Sequence, residues 1–384
     1  MGDRGPQGLR TAATAPARPW PRHRPRPHTP GVSALIHPPL PPGRTPSITD
    51  VAARAGVSIQ TVSRVLNSAP KVAAGTRQRV LEAITELGYR RNPAARALAT
   101  GRGGLVGVLT SSSALYGPAS ITAALGLAAT EAGVHLAVEH VVDFDVESVR
   151  HGLSRLVDQY AAAVVLVAPV REAYEALAGA HPLVPVPVLA VSSGGVGAVE
   201  VSVDQRAGAR LAVQHLLDLG HETVWHVRGP QGWYEADQRE EGWREVLQAA
   251  GREVPPVLEG AWSADSGYRA GELLARVPEV TAVFAANDSS ALGLVRALAE
   301  RGRSVPDDVS VVGFDDVPES AHFLPPLTTV RQEFSELGRA ALQQVLRMVD
   351  RGSAADDDGG ESVAGSVQLQ PELVVRRSST APRR

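Results

Sequence analysis

The chain has 384 residues, enough for several domains and a large buried core. It has no cysteine, which excludes disulfides and thiolate metal sites and fits a reducing compartment. Its formal net charge is -3 at pH 7, so any polyanion-binding surface has to be local. No stretch is long and apolar enough to span a membrane.

Residues 1–46 are rich in Arg and Pro, as in Pro19-Trp20-Pro21-Arg22-His23-Arg24-Pro25-Arg26-Pro27, and are predicted to form a disordered tail because they cannot bury a core. The tail lacks the continuous apolar segment of a secretion signal. Its arginines offer non-specific affinity for DNA; the plainer reading is that functional translation starts nearer Val32 or Ser47.

Ser47 to Asn67 reads as two short helices joined by a tight turn. Ser47 can cap the first, with Asp50 in its first turn, where the helix dipole favours a carboxylate. That helix ends near Ala55, Gly56 supplies the turn, and Ser58 can cap the second. Small Ala52 lets the two approach, and Val57, Val62 and Leu66 fill the angle between them. Such a helix-turn-helix lays its second helix in the DNA major groove. Ile59, Gln60 and Arg64, near the start of that helix, are polar or exposed in a pattern that a purely packed hairpin does not need. A third helix, about Thr76 to Leu87, buries Val80, Ile84 and Leu87 at helical spacing. Ala73 stands where a capping Ser is expected, at a local cost of about 1 kcal/mol. Between Ser47 and Leu105, Arg54, Arg64, Lys71, Arg77, Arg79, Arg90, Arg91, Arg96 and Arg102 face only Asp50, Glu82 and Glu86, a positive field on an acidic remainder.

From Leu105 strands and helices alternate. The first half predicts strands at Leu105–Leu109, His135–Glu139, Ala163–Val167 and Val186–Val191, with helices at Ala119–Ala132, Val146–Gln159 and Glu172–Leu177. The alternation restarts with helix Gln205–Leu219, strand Thr223–Val227, helix Tyr234–Ala250, strand Val254–Leu258, helix Asp265–Arg276, strand Ala282–Ala286, helix Asp288–Arg301 and strand Val309–Phe314. Two such halves imply parallel sheets with helices on both faces and a cleft where strand ends converge. Leu327–Gln332 then reads as a strand, Phe334–Asp350 as a helix and Val367–Val375 as one terminal strand, with the acidic loop Asp356–Gly360 at the surface. No metal cluster, nucleotide-type glycine loop or nucleophile-base triad is found, so no catalytic residue, metal site or cofactor is assigned and no enzyme is expected.

The runs Asp50-Val51-Ala52, Ala55-Gly56-Val57-Ser58, Thr61-Val62-Ser63-Arg64-Val65-Leu66-Asn67 and Gly88-Tyr89-Arg90-Arg91-Asn92-Pro93 resemble, in order and spacing, the lactose-repressor/galactose-repressor family of bacterial transcription regulators. Val106-Gly107-Val108, Ala286-Asn287-Asp288, Val311-Val312-Gly313-Phe314-Asp315-Asp316 and Pro325-Pro326-Leu327-Thr328-Thr329-Val330 extend the resemblance through the body. It implies an α/β chain: an all-α helix-turn-helix headpiece at 47–91, a hinge helix or linker at 92–104, and a two-lobed core of the periplasmic-binding-protein type (type I) at 105–376. The first lobe is expected at about 105–203 and 333–352, the second at about 204–332 and 366–376, and 377–384 as a flexible end.

Residue by residue, the resemblance places Ile59, Gln60 and Arg64 on base edges and Ser58, Thr61, Ser63 and Asn67 on phosphates, with Asn92 also at the DNA and Leu98 as the hinge leucine wedged into the minor groove. The chemistry is apt: Arg grips guanine bidentately, Gln reads adenine, and short hydroxyls anchor the backbone. In the cleft it implies that Arg239, Asn287 and Asp315 hold sugar hydroxyls and that Trp262 stacks on a pyranose face. Leu115, Pro118 and Ile121 form an implied apolar patch, Ser111 a hydroxyl contact, and Gln332 and Phe334 further lining. Ala190 stands where an Asp that helps to hold the sugar is implied, which argues against a galactoside itself. Plainer readings stay open: Leu98 as a linker residue on the core, Arg239 as a solvated charge beside Glu240 and Glu241, Asp315 as a sheet-edge ion pair, Trp262 as core, and Asn287 and Asp288 as helix caps, the reading preferred for Asp288.

The function implied is a repressor of carbohydrate-use genes, released from a palindromic double-stranded operator by a small sugar or glycoside. The alternatives are a nucleoside- or nucleobase-responsive regulator and, against the basic headpiece and missing leader, a solute-binding receptor. A homodimer matches a palindromic site. No leucine heptad follows Arg377, so no tail-mediated tetramer is expected. The location implied is cytoplasmic, on the nucleoid when DNA is bound.

Overall fold

The computed structural model describes residues 46–66, 72–89, 104–111, 115–142, 144–167, 170–180, 185–192, 199–352 and 365–383. The chain divides into two compact units, residues 1–91 and 92–384. Of the tail expected at 1–46 only Pro46 is described, and Asn67, Asn92, Leu98 and the rest of the expected hinge up to Gly103 lie outside the described residues.

The first unit is a trihelical cluster of α1 (Ile48–Ala55), α2 (Ile59–Leu66) and α3 (Ala74–Leu87). Ser47 and Asp50 form a reciprocal capping box, the Ser47 hydroxyl accepting from the Asp50 amide at 3.3 Å and the Ser47 amide donating to Asp50 Oδ2 at 2.8 Å. Gly56 ends α1 at φ 66°, the left-handed conformation that makes the turn. Val51, Val62 and Val80 are fully buried at the centre, with Val57 and Leu66 packed around them. Ala73 precedes α3 with no side-chain cap bond.

Among its described residues the second unit holds two sheets. The first is ordered β10-β5-β4-β3-β1-β2, all parallel: β1 (Leu105–Ser111), β2 (His135–Val141), β3 (Ala163–Val167), β4 (Val188–Ala190), β5 (Val199–Val203) and β10 (Val367–Leu369). Val106, Val108 and Val165 face α4 (Tyr116–Ala132) and α11 (Phe334–Gly352). Leu109 and Leu166 pack with Leu153 of α5 (Val146–Asp158) and Ala173 of α6 (Arg171–Ala180). The second sheet is ordered β11-β9-β8-β7-β6, with β6 (Trp225–Val227), β7 (Ala282–Ala285), β8 (Ser310–Asp315), β9 (Thr328–Arg331) and β11 (Glu372–Val374), the last antiparallel. Here α7 (Gln205–Asp218) and α8 (Tyr234–Ala249) cover one face, α9 (Ala264–Leu274) and α10 (Asp288–Glu300) the other. Among the described residues the chain crosses between the lobes three times, near residues 204, 332 and 370.

Four expectations are corrected. Val254–Leu258 is no strand but a single parallel bridge from Leu258 to Val227, because Pro255 and Pro256 have no N–H to donate. Val186–Val191 shrinks to β4, shortened by Pro187. Val367–Val375 is two strands in two sheets, broken at Gln370-Pro371, so 367–369 belongs to the first lobe and not the second. Of the end expected to be flexible at 377–384, the described part, 377–383, is not loose: Ser378 is fully buried, its hydroxyl donating to the Val311 carbonyl at 2.6 Å and accepting from the Thr328 amide at 2.8 Å. Thr380 continues the tie through the Ser310 hydroxyl at 3.0 Å.

Two glycines set where the cleft wall sits. A Cβ at Gly293 of α10 would lie 1.8 Å from the Ala264 carbonyl oxygen, and one at Gly267 of α9 1.9 Å from that of Ser290. The two helices therefore meet backbone to backbone, which brings Trp262, just before α9, beside Asn287, just before α10; the Asn287 amide donates to the Trp262 carbonyl at 3.3 Å. Gly293→Ala is expected to cost more than about 2 kcal/mol in denaturant unfolding, since the obstacle is backbone and cannot turn aside.

His226 lies wholly buried in the second lobe, stacked on Phe284 at 4.8 Å and beside Trp243 at 5.4 Å. Its Nδ1 donates to the Phe284 carbonyl at 2.9 Å, and burial pushes its pKa down to about 3. An unfolded His binds a proton from about pH 6.5 downwards and this one does not, so the neutral ring's contribution to stability is present above that pH and drains as pH falls. Between pH 6.5 and 5 the parent should lose about 2 kcal/mol more than His226→Phe, read from paired denaturant titrations.

Candidate functional site

In the first unit, α2 presents a mixed face. Val62 and Val65 point into the trihelical core, leaving Ser58, Ile59, Gln60 and Arg64 exposed and Thr61 and Ser63 half-buried. Ile59 is 47% exposed, a large apolar side chain held in water with no packing reason. Ser58 opens the helix, its hydroxyl accepting from the Thr61 amide at 3.2 Å and lying 2.9 Å from the Thr61 hydroxyl. Arg54 is anchored to Glu86 at 2.5 Å, tying α1 to α3, whereas Arg64 forms no ion pair among the described residues. The exposed row of Gln60, Arg64 and short hydroxyls has the donors and acceptors that read base edges and phosphates.

In the second unit a cavity opens between the lobes, and its wall brings together nine of the ten cleft positions singled out from the sequence: Leu115, Pro118, Ile121, Arg239, Trp262, Asn287, Asp315, Gln332 and Phe334. Ser111 is the exception. It shares the strand parity of Leu109, which packs under α5 and α6, so it belongs to the face away from the α4 side that carries Leu115 and Pro118. Ala190 is sealed inside β4, and the wall there is made by Val191 and Ser192 instead.

Arg239, Gln205, Gln332 and Asp315 close into a ring. Arg239 Nε donates to Gln205 Oε1 at 2.9 Å, Gln205 Nε2 to Gln332 Oε1 at 2.8 Å, and Gln332 Nε2 to Asp315 Oδ1 at 2.7 Å. Asp315 Oδ1 then faces Arg239 Nη2 at 3.5 Å. Arg239 also donates to the Ala286 carbonyl, and its guanidinium lies 3.7 Å over the Phe314 ring and 5.3 Å from that of Trp262. Arg239 is 3% exposed, so it is no solvated helix charge. Burial pushes the Asp315 pKa up to about 6 against the pull of Arg239, and lowers that of Arg239 against the pull of Asp315. Asp315 holds φ 109° and Asp316 φ 53°, left-handed values that cost a non-glycine residue energy and cluster at ligand sites.

Asn287, not Asp288, caps α10, its Oδ1 accepting from the Ser290 amide at 2.9 Å. Asp288 sits in the first turn, fully buried, taking the Thr329 hydroxyl at 2.5 Å and the Val317 amide at 2.9 Å. Burial, then Asp315, raises its pKa well above the ordinary carboxylate range.

The sequence reading missed Tyr116, Ser192, Gln205, Trp233 and Glu235, which also line the cavity. Gln205 and Glu235 open α7 and α8 at the cleft, where the strand-end rule for such sheets was the available signal. Trp233 meets Trp262 edge to face at 5.6 Å, and Tyr116 meets Phe334 likewise at 5.7 Å, giving apolar walls on both lobes. Among the described residues no His, Cys, Asp or Glu cluster could hold a metal, and no helix is long and apolar enough to cross a membrane.

Replacing Gln332 by Leu opens the ring and leaves the Gln205 amide without its acceptor and Asp315 without its nearest donor. A loss of about 1–3 kcal/mol in chemical unfolding is expected, with the headpiece transition unchanged.

Comparison with known proteins finds relatives with this architecture. Residues 47–92 match the family model described as bacterial regulatory proteins, lacI family, and residues 213–379 that of the periplasmic binding protein-like domain. The lactose operon repressor of Escherichia coli (strain K12) is 35% identical over 340 residues, spanning 88% of this chain and 91% of that protein. The crystal structure of the lac repressor dimer bound to operator and the anti-inducer ONPF superposes with a TM-score of 0.79 at 34% identity, over 88% of this chain and all of that one. A complex of the transcriptional regulator CelR with cellobiose gives a TM-score of 0.62 at 32% identity, over 87% and 99%. The chain belongs to the lacI family of bacterial regulatory proteins: it is a DNA-binding transcriptional regulator and not an enzyme.

Proposed function

We propose that this regulator represses carbohydrate-use genes and leaves its operator when a small sugar or glycoside enters the cleft between its lobes. The observation that carries the reading is the cleft wall itself. A closed ring of Arg239, Gln205, Gln332 and Asp315 faces into a cavity whose wall also carries Trp233, Trp262, Tyr116 and Phe334. Vicinal hydroxyls suit fixed guanidinium, amide and carboxylate groups, and the C–H faces of a pyranose suit indole and phenyl rings. The two tryptophans meet edge to face, so they do not offer the parallel slot that would favour a flat nucleobase.

On DNA, Ile59, Gln60 and Arg64 would read base edges, Ser58, Thr61, Ser63 and Asn67 phosphates, and Asn92 and Leu98 the region next to the headpiece. A sugar spanning both lobes would favour one lobe arrangement and, through a homodimer, separate the paired hinges. To empty the operator decisively it must prefer the released form by several kcal/mol. The relatives' repressor dimer on operator and the cellobiose complex support these steps, and the reading carries with it a cytoplasmic, DNA-associated location.

The test is a thermal-shift screen with cellobiose, lactose, other glycosides and nucleosides, followed by release from an operator obtained by selection on random duplexes. Glycosides that raise the melting point and lower operator affinity uphold the reading; shifts by nucleosides alone overturn it. On that operator, Arg64→Ala should lose about 1–3 kcal/mol of preference over random duplex, measured by fluorescence anisotropy at fixed salt.

A further inference from the structure

Ser192 follows β4 in the first lobe and Glu235 opens α8 in the second, yet the Ser192 hydroxyl donates to Glu235 Oε1 at 3.1 Å, so this bond joins the lobes across the cavity. The same side carries further cross-lobe contacts: the Arg171 amide donates to the Gly232 carbonyl at 2.9 Å, and Tyr174 meets Tyr234 edge to face at 5.2 Å. Glu235 is thus held in place through one oxygen. Its other oxygen, Oε2, is closed off from solvent and has no hydrogen-bond partner among the described residues. On the same wall the indole N–H of Trp262 is closed off and lacks an acceptor among them as well. Leaving such groups unpaired is costly, and a ligand that satisfies them recovers that cost.

We propose that Glu235 is a specificity-determining residue whose Oε2 pairs with a hydroxyl of a neutral glycoside, while a ring or bridging oxygen of the same ligand accepts from the Trp262 indole. This rests on the glycoside reading above and deepens it. A hydroxyl suits the position because it both donates and accepts. The carboxyl faces Arg239 on its own helix and Asp315 at the end of β8, and burial pushes its pKa up to about 7, so both protonation forms are present near neutrality. A carboxylate would take the hydroxyl's hydrogen and a carboxylic acid would give its own, so a neutral sugar is held in either form. The cation on this wall is already matched, Arg239 against Asp315, which leaves no free positive partner for an anionic ligand.

The experiment is isothermal titration of the full chain and two variants with cellobiose, lactose and the best glycoside from the thermal screen. Glu235→Leu removes both oxygens; Glu235→Gln keeps the shape and the capacity to donate and accept. With melting points confirming that each variant folds, Glu235→Leu should weaken binding tenfold or more and Glu235→Gln by no more than about threefold. Parent and Glu235→Leu binding one glycoside equally would overturn the Glu235 assignment and leave the glycoside reading standing. Failure of every glycoside to bind the parent would overturn both.

Discussion

The constraint on which the core depends is the burial of two opposite charges, Arg239 and Asp315, where their lobe meets the cleft. An ion pair out of water is tolerable only if every remaining donor and acceptor is matched, because desolvation of each charge otherwise exceeds their attraction. Gln205 and Gln332 supply the matching groups, the Ala286 carbonyl takes another guanidinium hydrogen, and the Phe314 ring lies beneath the cation. These partners come from α7, the turn after β7, β8 and the turn after β9, so completing the ring fixes the ends of several elements at once. The left-handed backbone at Asp315 and Asp316 is gripped from both sides, Asp315 by the ring and Asp316 by Arg331 at 2.7 Å and Arg376 at 2.6 Å.

The positions of the ring were partly legible in the sequence and its closure was not. Arg239, Asp315 and Gln332 stand in motifs whose resemblance nominates them one by one. Gln205 looks like the ordinary first residue of a helix, and nothing local says that its amide will bridge two others more than thirty residues away in sequence. Glu235 was missed for a related reason, since it lies in a helical run of mixed charge, Glu235 to Glu241, that reads as a solvated face. Ser111 erred through parity: one residue along a strand reverses the side chain, and a motif fixes neighbourhood before it fixes facing.

Periodicity gave most elements within a few residues because alternating apolar runs and helical spacing are local signals. It failed where proline removes donors, at Pro187, Pro255-Pro256 and Pro371, and where pairing is decided by a distant edge. Ser378 is the clearest case. A short polar segment with no periodicity is buried because β8 and β9 leave a carbonyl and an amide that only something arriving from far along the chain can satisfy.

The three crossings between lobes carry a further consequence. The first lobe is assembled from 104–203, the long helix α11 and β10, and the second from 205–331 together with β11 and the segment through Thr380. Neither is a continuous piece of gene. Recombination cannot therefore deliver half of the clamp as a cassette, and because the walls of the cavity come from both halves, a new ligand preference has to be reached by substitutions within one core or acquired with the whole of it.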